Sequence, residues 1–228
     1  MTELGIDPSN EAYALRSLIY ASFVEAFEYP DAEMLEAVRS GALAVALEQM
    51  LAALDPSLAD GVQWDALRDA GRSDDDLLAE YTRLFIAGMD GPACSLEEGV
   101  HLRTSLDAME EALRFYKHFG LALPEGRQEQ PDHLKTELEF LHYLTFQEAQ
   151  SVAEGAEVDG LRRAQRDFIE RHPGAWVPIV REKLVAAEAM PFFVELARLL
   201  ERYLDAERRR LCLMVGPVPS TESIGLNS

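Results

Sequence analysis

A glutamate stands among leucines in the segment that follows Pro131. Successive helical residues are about 100° apart, so this segment has an apolar face, made of Leu134, Leu138, Leu141, Leu144 and Thr145. Glu137 falls within this face, and His133, one turn earlier, borders it. A carboxylate in apolar surroundings is costly unless it is paired. Because residues four apart are neighbours on a helix, His133 is the nearest local partner of Glu137.

Asp132 adds a second acid to the same segment. A helix running from Pro131 to about Ala153 places Asp132 in the first turn, where the helix N-terminus favours negative charge. Two interpretations stay open. The acids are either a helix-start charge and a structural Glu–His pair, or a recognition pocket in which Asp132, His133 and Glu137 meet the loop around Gly91 and Pro92.

Two Glu-x-x-His pairs are candidate metal ligands: Glu98 with His101, and Glu139 with His142. Two such pairs, with glutamates from two further helices, build a di-iron carboxylate site in a helical bundle. Glu139 and His142 lie largely away from the leucine face, and a chain with 41 acidic residues contains such pairs by chance. A helical di-metal oxidase is therefore the alternative, and we assign no metal ligand.

Other catalytic signatures are missing from the sequence. It contains no GxxxxGK[ST] or GxGxxG phosphate loop and no GxSxG nucleophile elbow. Cys94 follows Gly91-Pro92 and is a candidate thiol nucleophile, but no base is identifiable, which favours a buried cysteine. We therefore expect a protein that is not an enzyme and has no cofactor.

Helical periodicity runs through nearly the whole chain, and no convincing alternating strand interrupts it. We predict an all-α fold: a single domain over residues 1–215, built as a bundle of about seven to ten helices. Residues 216–228 contain Gly, Pro, Ser and Asn without a pattern, so we expect a disordered tail.

Caps and breakers set the predicted helix boundaries. The first helix follows Ser9-Asn10 and reaches about Glu28, and a second helical stretch covers residues 31–54 with a break at Gly41. A short helix is predicted at 62–69, and a longer one runs from the Ser73/Asp76 capping box to Gly88. The next two predicted helices run from after Glu97 to Phe119 and over 131–153. Two or three more helices cover 161–213, with interruptions at Pro173-Gly174 and near Pro191.

The charge balance restricts the partners. The 228 residues contain 21 Lys+Arg and 41 Asp+Glu, a formal net charge of −20. Binding to nucleic acid or to anionic membranes needs basic side chains facing phosphate, so this composition disfavours both and favours a positively charged partner. We see no signal peptide and no apolar run of about 18 residues. Cys94 and Cys212 are far apart in the sequence and form no CxxC pair, which fits a reducing compartment better than a disulfide framework. We expect a cytoplasmic protein without stable membrane insertion.

Several short motifs follow one another within residues 10–205. They are Glu80-Tyr81-x-x-Leu84-Phe85, Gly91-Pro92-x-Cys94-Ser95-x-Glu97, Tyr116, Gly120-Leu121, Pro131-Asp132-His133, Glu137-Leu138-Glu139-Phe140-Leu141, His172-x-x-x-Trp176 and Pro191-Phe192-Phe193-x-x-Leu196-Ala197. Their order and spacing resemble the TorD/DmsD/NarJ family, the cytoplasmic chaperones dedicated to molybdenum enzymes of the dimethyl-sulfoxide-reductase class. Within it, the chain is similar to chaperones of the type II enzymes, such as ethylbenzene dehydrogenase and selenate or chlorate reductase.

The resemblance implies an all-helical, non-catalytic protein. Such chaperones bind the N-terminal region of an apo catalytic subunit, often a twin-arginine signal peptide, and hold it until molybdopterin guanine dinucleotide is inserted. The residues that match the family's peptide-binding surface, together with neighbouring acids, are Leu84, Phe85, Gly91, Pro92, Cys94, Ser95, Glu97, Pro131, Asp132, His133 and Glu137. Where the family has a glutamate before the proline, this chain has Gln130, with Glu129 one position earlier. Some members of the family bind guanine nucleotide weakly. For the oligomeric state of this chain, both a monomer and a swapped dimer stay open.

Physical chemistry adds an expectation about such a receptor. A twin-arginine peptide has a basic region followed by an apolar stretch, so its receptor should offer carboxylates beside an apolar groove. The candidate groove-lining residues are Leu84, Phe85, Phe140 and Tyr143, and the candidate acids are Glu97, Asp132 and Glu137. A third alternative is a structural subunit that stays with the mature oxidoreductase.

Overall fold

A computed structural model describes residues 8–69, 71, 73–88, 91–102, 105–123, 126 and 129–218. In these ranges the chain forms ten α-helices, which confirms the predicted all-α fold. They are α1 Pro8–Ala26, α2 Ala32–Ser40, α3 Ala42–Leu54, α4 Asp74–Tyr81, α5 Glu98–Leu102, α6 Ser105–His118, α7 Leu134–Ala153, α8 Asp159–Arg171, α9 Pro173–Ala186 and α10 Pro191–Val215. The predicted disordered tail lies outside the described residues from position 219 onward.

The core is built from two helix groups. α1 packs along α7, while α10 packs against α8 and α9. Aromatic rings join the groups, since Tyr20 of α1 and Tyr203 of α10 are both fully buried with ring centroids 5.1 Å apart. Burying one large apolar side chain stabilises the fold by about 1.5–3 kcal/mol. This packing holds α7, the helix with the misfit glutamate, at the centre of the molecule.

The predicted break at Gly41 is a sharp bend between α2 and α3. Gly41 has φ +77°, a left-handed conformation that glycine adopts without steric cost. Asp31 caps α2, because its carboxylate accepts a hydrogen bond from Met34 N at 2.8 Å. Among the described residues no single helix has the length and apolar character of a membrane span; α2 and α3 meet that test only together, and they are bent by 70°.

The other predicted boundaries are partly right. The capping box of Ser73 and Asp76 is present at the start of α4, and the breaks at Pro173 and Pro191 are the first turns of α9 and α10. The prediction of a helix to Gly88 is wrong in form, since α4 ends at Tyr81 and a π-helical turn follows at Thr82–Ile86.

Two further predicted helices also take a different form. Residues 62–69 contain only a short 3₁₀ turn, Ala66–Arg68. The segment after Glu97 contains α5 and α6, and residues 103 and 104 between them lie outside the described ranges.

Candidate functional site

Two segments that the sequence marks as functional lie side by side. Glu97 and His133 form an isolated antiparallel β-bridge, and next to it Leu134 N donates a hydrogen bond to Leu96 O at 2.8 Å. The loop before α5 is thereby fixed to the turn before α7. We call the pair of segments, residues 91–98 and 130–134, the clamp.

Asp132 holds the clamp to α5. Its carbonyl accepts from Glu98 N at 2.9 Å, and its carboxylate accepts from Gly99 N at 3.0 Å. The side chain therefore satisfies one of the unpaired amides at the N-terminus of α5. Asp132 is only 3% exposed; burial raises the pKa of its carboxyl group, and the hydrogen bond from Gly99 opposes this.

The predicted start of α7 is wrong. The helix begins at Leu134 with His133 as its N-cap, whose backbone is extended at φ −79° and ψ 139°. Asp132 is therefore not in the first turn of α7. The reason is that the carbonyl and carboxylate of Asp132 are both engaged by α5, while residues 130–133 form a separate turn closed by a hydrogen bond from His133 N to Gln130 O at 3.1 Å.

Glu137 is fully buried, as its position among leucines predicts, but the predicted pair with His133 is wrong. Its Oε2 accepts a hydrogen bond from Trp176 Nε1 at 3.0 Å, while His133 Nδ1 accepts from Lys135 N at 3.2 Å. Burial, and next the charge of Glu98, raise the pKa of the Glu137 carboxyl group well above its usual range. The partner is 39 residues away along the chain, so helical spacing could not identify it.

Glu98 also has a distant partner. Its Oε2 lies 2.8 Å from Nδ1 of His172, and both side chains are buried. The predicted pair with His101 is not formed, because His101 Nε2 donates to Ser95 O at 2.7 Å and its ring stacks on Trp176 at 5.3 Å. Burial lowers the pKa of His101.

The second Glu-x-x-His pair lies in a different environment. His142 Nδ1 donates to Ser17 O of α1 at 2.8 Å, and Glu139 lines a groove described below. Among the described residues, the cluster of His, Cys, Asp and Glu side chains with metal-binding spacing consists of Glu98, Glu137 and His172. The arrangement required for the di-metal oxidase is therefore not formed in this part of the chain.

Burial divides the candidate client-binding residues into two groups. Leu84, Phe85, Cys94, Asp132 and Glu137 are buried. The remaining candidates are accessible to different degrees: Gly91 and Pro92 are exposed, and Ser95, Glu97, Pro131 and His133 are half-buried. The side chains of the buried group are shielded from direct contact with a partner, whereas the second group is accessible to solvent.

Cys94 belongs to the scaffold of the loop. Its amide donates to Leu84 O at 2.7 Å, and its side chain is 1% exposed. Burial raises the pKa of the Cys94 thiol to about 11. The sulfur is therefore protonated at neutral pH, which does not suit a nucleophile.

An acidic groove borders the clamp on one side. It has a volume of about 470 Å³ and is lined by Glu25, Glu28, Tyr29, Asp31, Glu33, Met34 and Ala37. Lys135 joins it to the clamp through an ion pair with Glu28 at 2.5 Å. Tyr29 packs on Tyr81 at 5.4 Å, and Tyr81 packs on Phe85 at 5.0 Å. Helical periodicity does not indicate this groove, although the four carboxylates near Pro30 are a signal of it in the sequence.

An apolar groove borders the clamp on another side. It measures about 210 Å³ and is lined by Tyr116, Leu121, Ala122, Leu123, Thr136, Glu139, Phe140 and Tyr143. The hydroxyl group of Tyr116 donates a hydrogen bond to Pro131 O at 2.8 Å, and the hydroxyl group of Thr136 donates one to Gln130 O at 3.0 Å. Of the four side chains predicted to line such a groove, Phe140 and Tyr143 are here, while Leu84 and Phe85 lie in the core cluster.

A larger groove of about 700 Å³ lies between α8, α9 and α10. Its basic lining side chains are already bonded within the chain: Arg181 to Glu201, Arg208 to Asp205, Arg198 to Glu195, and Arg202 to the carbonyls of Ser57 and Asp60. None of the candidate client-binding residues lines it. We therefore centre the candidate site on the clamp and its two grooves.

Comparison with known proteins gives a consistent answer. The family model described as nitrate reductase delta subunit matches residues 40–182. The perchlorate reductase assembly chaperone protein of Dechloromonas aromatica is 35% identical, covering 84% of this chain and 87% of the relative. The selenate reductase assembly chaperone protein of Thauera selenatis is 38% identical, covering 77% of this chain and 90% of the relative.

A solved structure has the same fold. A crystal structure described as a putative redox enzyme maturation protein from Archaeoglobus fulgidus superposes with a TM-score of 0.50 at 20% identity, covering 83% of this chain and 93% of that one. The residues that the nitrate reductase delta subunit model matches include the clamp, α7 and the corner between α8 and α9. The chain therefore belongs to the TorD/NarJ family of molybdoenzyme maturation chaperones, which includes the nitrate reductase delta subunits.

Proposed function

We propose that this protein binds the N-terminal segment of the apo catalytic subunit of a molybdenum oxidoreductase in the cytoplasm. It holds the subunit until the molybdopterin cofactor is inserted, before assembly or twin-arginine export, and it does so by binding alone, without catalysis. The observation that carries the proposal is the relationship to proteins named as assembly chaperones of perchlorate and selenate reductases.

The two grooves support a client of this chemistry. The acidic groove offers four exposed carboxylates, from Glu25, Glu28, Asp31 and Glu33, and the apolar groove offers aromatic and aliphatic surface. Both grooves adjoin the same turn of the clamp. Lys135, whose amide donates to His133 of the clamp, pairs with Glu28 of the acidic groove, and Tyr116 of the apolar groove donates to Pro131 O. A peptide with a basic region followed by an apolar stretch can place one part in each groove.

The buried candidate residues have a positioning role in this proposal. Asp132 fixes the clamp to α5, and Phe85 supports Tyr81, on which the exposed ring of Tyr29 packs. Their substitution affects client binding through the shape of the grooves. The exposed carboxylates affect it through charge, which changes the association rate and its dependence on salt.

Calorimetry with a synthetic peptide tests the proposal. The probe has two consecutive arginines followed by an apolar stretch, and the control peptide has glutamine in place of both arginines. The test variant is Glu25→Gln with Glu33→Gln, which leaves the Asp31 cap and the pair between Glu28 and Lys135 intact. Exposed ion pairs contribute about 0.2–1 kcal/mol each, so the dissociation constant should rise about 2- to 30-fold.

The matched control is Glu182→Gln, which removes one exposed carboxylate of α9 outside both grooves. It should bind the peptide as the unchanged protein does. Equal affinity of the unchanged protein for both peptides, or equal loss in the control variant, contradicts recognition of a basic segment in the acidic groove.

A further inference from the structure

Three buried side chains from separate parts of the chain meet behind the clamp. Glu98 begins α5, Glu137 lies in the first turn of α7, and His172 precedes α9. One carboxylate oxygen of each glutamate and one imidazole nitrogen of His172 lie within 4.8 Å of one another. The three residues are 3%, 0% and 1% exposed, respectively.

The cluster has more acceptors than donors. Trp176 Nε1 donates to Oε2 of Glu137, and His172 Nδ1 is the partner of Glu98. Among the described residues, no donor reaches Oε1 of Glu137, and His172 Nε2 has no hydrogen-bond partner. With both glutamates ionised, the two carboxylates and the single imidazole carry net negative charge in a medium of low polarity, which is strongly unfavourable unless a cation or a proton on Glu137 neutralises it.

We propose that Glu98, Glu137 and His172 bind one divalent first-row transition-metal ion, of the Zn²⁺, Mn²⁺ or Fe²⁺ class. Carboxylate oxygen and imidazole nitrogen are ligands of these ions, and a charge of +2 balances the two carboxylates. Ligand distances of about 2.0–2.2 Å place two ligands at most about 4.4 Å apart across the ion. The present spacing, within 4.8 Å, is therefore close to what one ion requires.

The surroundings orient the ligands. Trp176 holds one oxygen of Glu137 and leaves the other for the ion, while the ring of His172 packs against Phe168 at 4.5 Å and Phe115 at 5.7 Å. Such supporting contacts fix the direction of a ligand and increase metal affinity. The site is mononuclear and uses neither His101 nor His142, so it differs from the di-metal arrangement. Its ion would tie α5, α7 and α9 together.

The test uses the full chain stripped of metal with a chelator. Zn²⁺, Mn²⁺ and Co²⁺ are titrated separately by calorimetry, and Co²⁺ also by its visible spectrum. We expect one ion per chain, oxygen and nitrogen ligands in X-ray absorption, and a higher melting temperature with the ion. Glu137→Gln should lower the affinity at least about tenfold, whereas Glu154→Gln, an exposed change at the end of the same helix, should not.

Two results overturn the site. One is the absence of binding by the unchanged, metal-free chain, which would leave a proton on Glu137 to relieve the charge. The other is binding that stays the same in Glu137→Gln and in His172→Asn, which places the ion on surface carboxylates. If both variants fail to fold, the X-ray absorption of the unchanged chain decides, since a first shell without nitrogen excludes His172. The site does not depend on client binding, so either proposal can fail alone.

Discussion

Replacing Asp132 with alanine tests whether this carboxylate holds the clamp to α5. The change removes the acceptor of the hydrogen bond from Gly99 N. Gly99 is buried, so water cannot replace the lost bond without local opening. The first turn of α5 and the bridge between Glu97 and His133 should therefore open more often, while helices outside the clamp stay unchanged.

The magnitude follows from two overlapping costs. Loss of a helix N-terminal cap costs about 0.5–2 kcal/mol, and an unpaired buried N–H costs about 1–3 kcal/mol. Both describe the same bond, so they do not add. Burial also disfavours the charged form of Asp132, as its raised pKa shows, and alanine removes that penalty. The net cost is about 1–2 kcal/mol, which increases local opening about 5- to 30-fold.

Native-state hydrogen exchange of the Gly99 amide measures this opening. Asp132→Asn keeps an oxygen acceptor without the charge and should exchange more slowly than Asp132→Ala. The matched control is Asp107→Ala, an exposed position on α6, which should leave Gly99 unchanged. If Gly99 exchanges in Asp132→Ala within about twofold of the unchanged protein, a difference worth only about 0.4 kcal/mol, the carboxylate does not hold α5 and our account of the clamp is wrong.

Three further predictions concern the fold. Gly41→Ala forces a left-handed alanine and places its Cβ 3.1 Å from Arg68 Nε. Urea unfolding should therefore show a free energy of unfolding that is lower by about 1–2 kcal/mol. Gly160 lies in open space in α8, so Gly160→Ala should be neutral or stabilising. Cys94 is buried and its pKa is raised to about 11, so a thiol reagent at pH 8 should modify Cys212 first and Cys94 only on unfolding. Equal alkylation rates of the two thiols at pH 8 would contradict the burial of Cys94. Leu138 is fully buried, so Leu138→Ala should lower the free energy of unfolding by about 2–5 kcal/mol. Leu113 is exposed, so Leu113→Ala should lower it by about 0.5 kcal/mol or less.

The elements that the sequence predicted well depend on local chemistry. Gly41, Pro173 and Pro191 set helix ends through their own backbone preferences, and the capping box of Ser73 requires only the next three residues. The segment before α7 shows the limit of this approach. Pro131 is compatible with a first helical turn, but it lies in a separate turn that His133 N and Gln130 O close, and tertiary bonds from α5 engage Asp132.

The site depends on contacts between distant parts of the chain. Glu137 was recognised as a misfit, yet its partner Trp176 lies on α9 and the partner of Glu98, His172, is 74 residues away. Helical periodicity relates residues three or four positions apart and carries no information about such pairs. The acidic groove is local instead: its lining residues lie within positions 25–37, where α1 and α2 meet around Pro30, and helical periodicity does not describe the turn between two helices.

The proposal that the protein holds a cofactor-free client is tested most directly by capture from its own cells. The tagged full chain is recovered from cells in which molybdopterin synthesis is blocked and from cells in which it is intact, and the bound protein is identified and its cofactor content measured. We predict that the catalytic subunit of a molybdenum oxidoreductase, without cofactor, is enriched in the blocked cells and released when synthesis resumes. Recovery of the same amount of cofactor-loaded, active enzyme from both cultures would contradict the account and identify the chain as a permanent subunit.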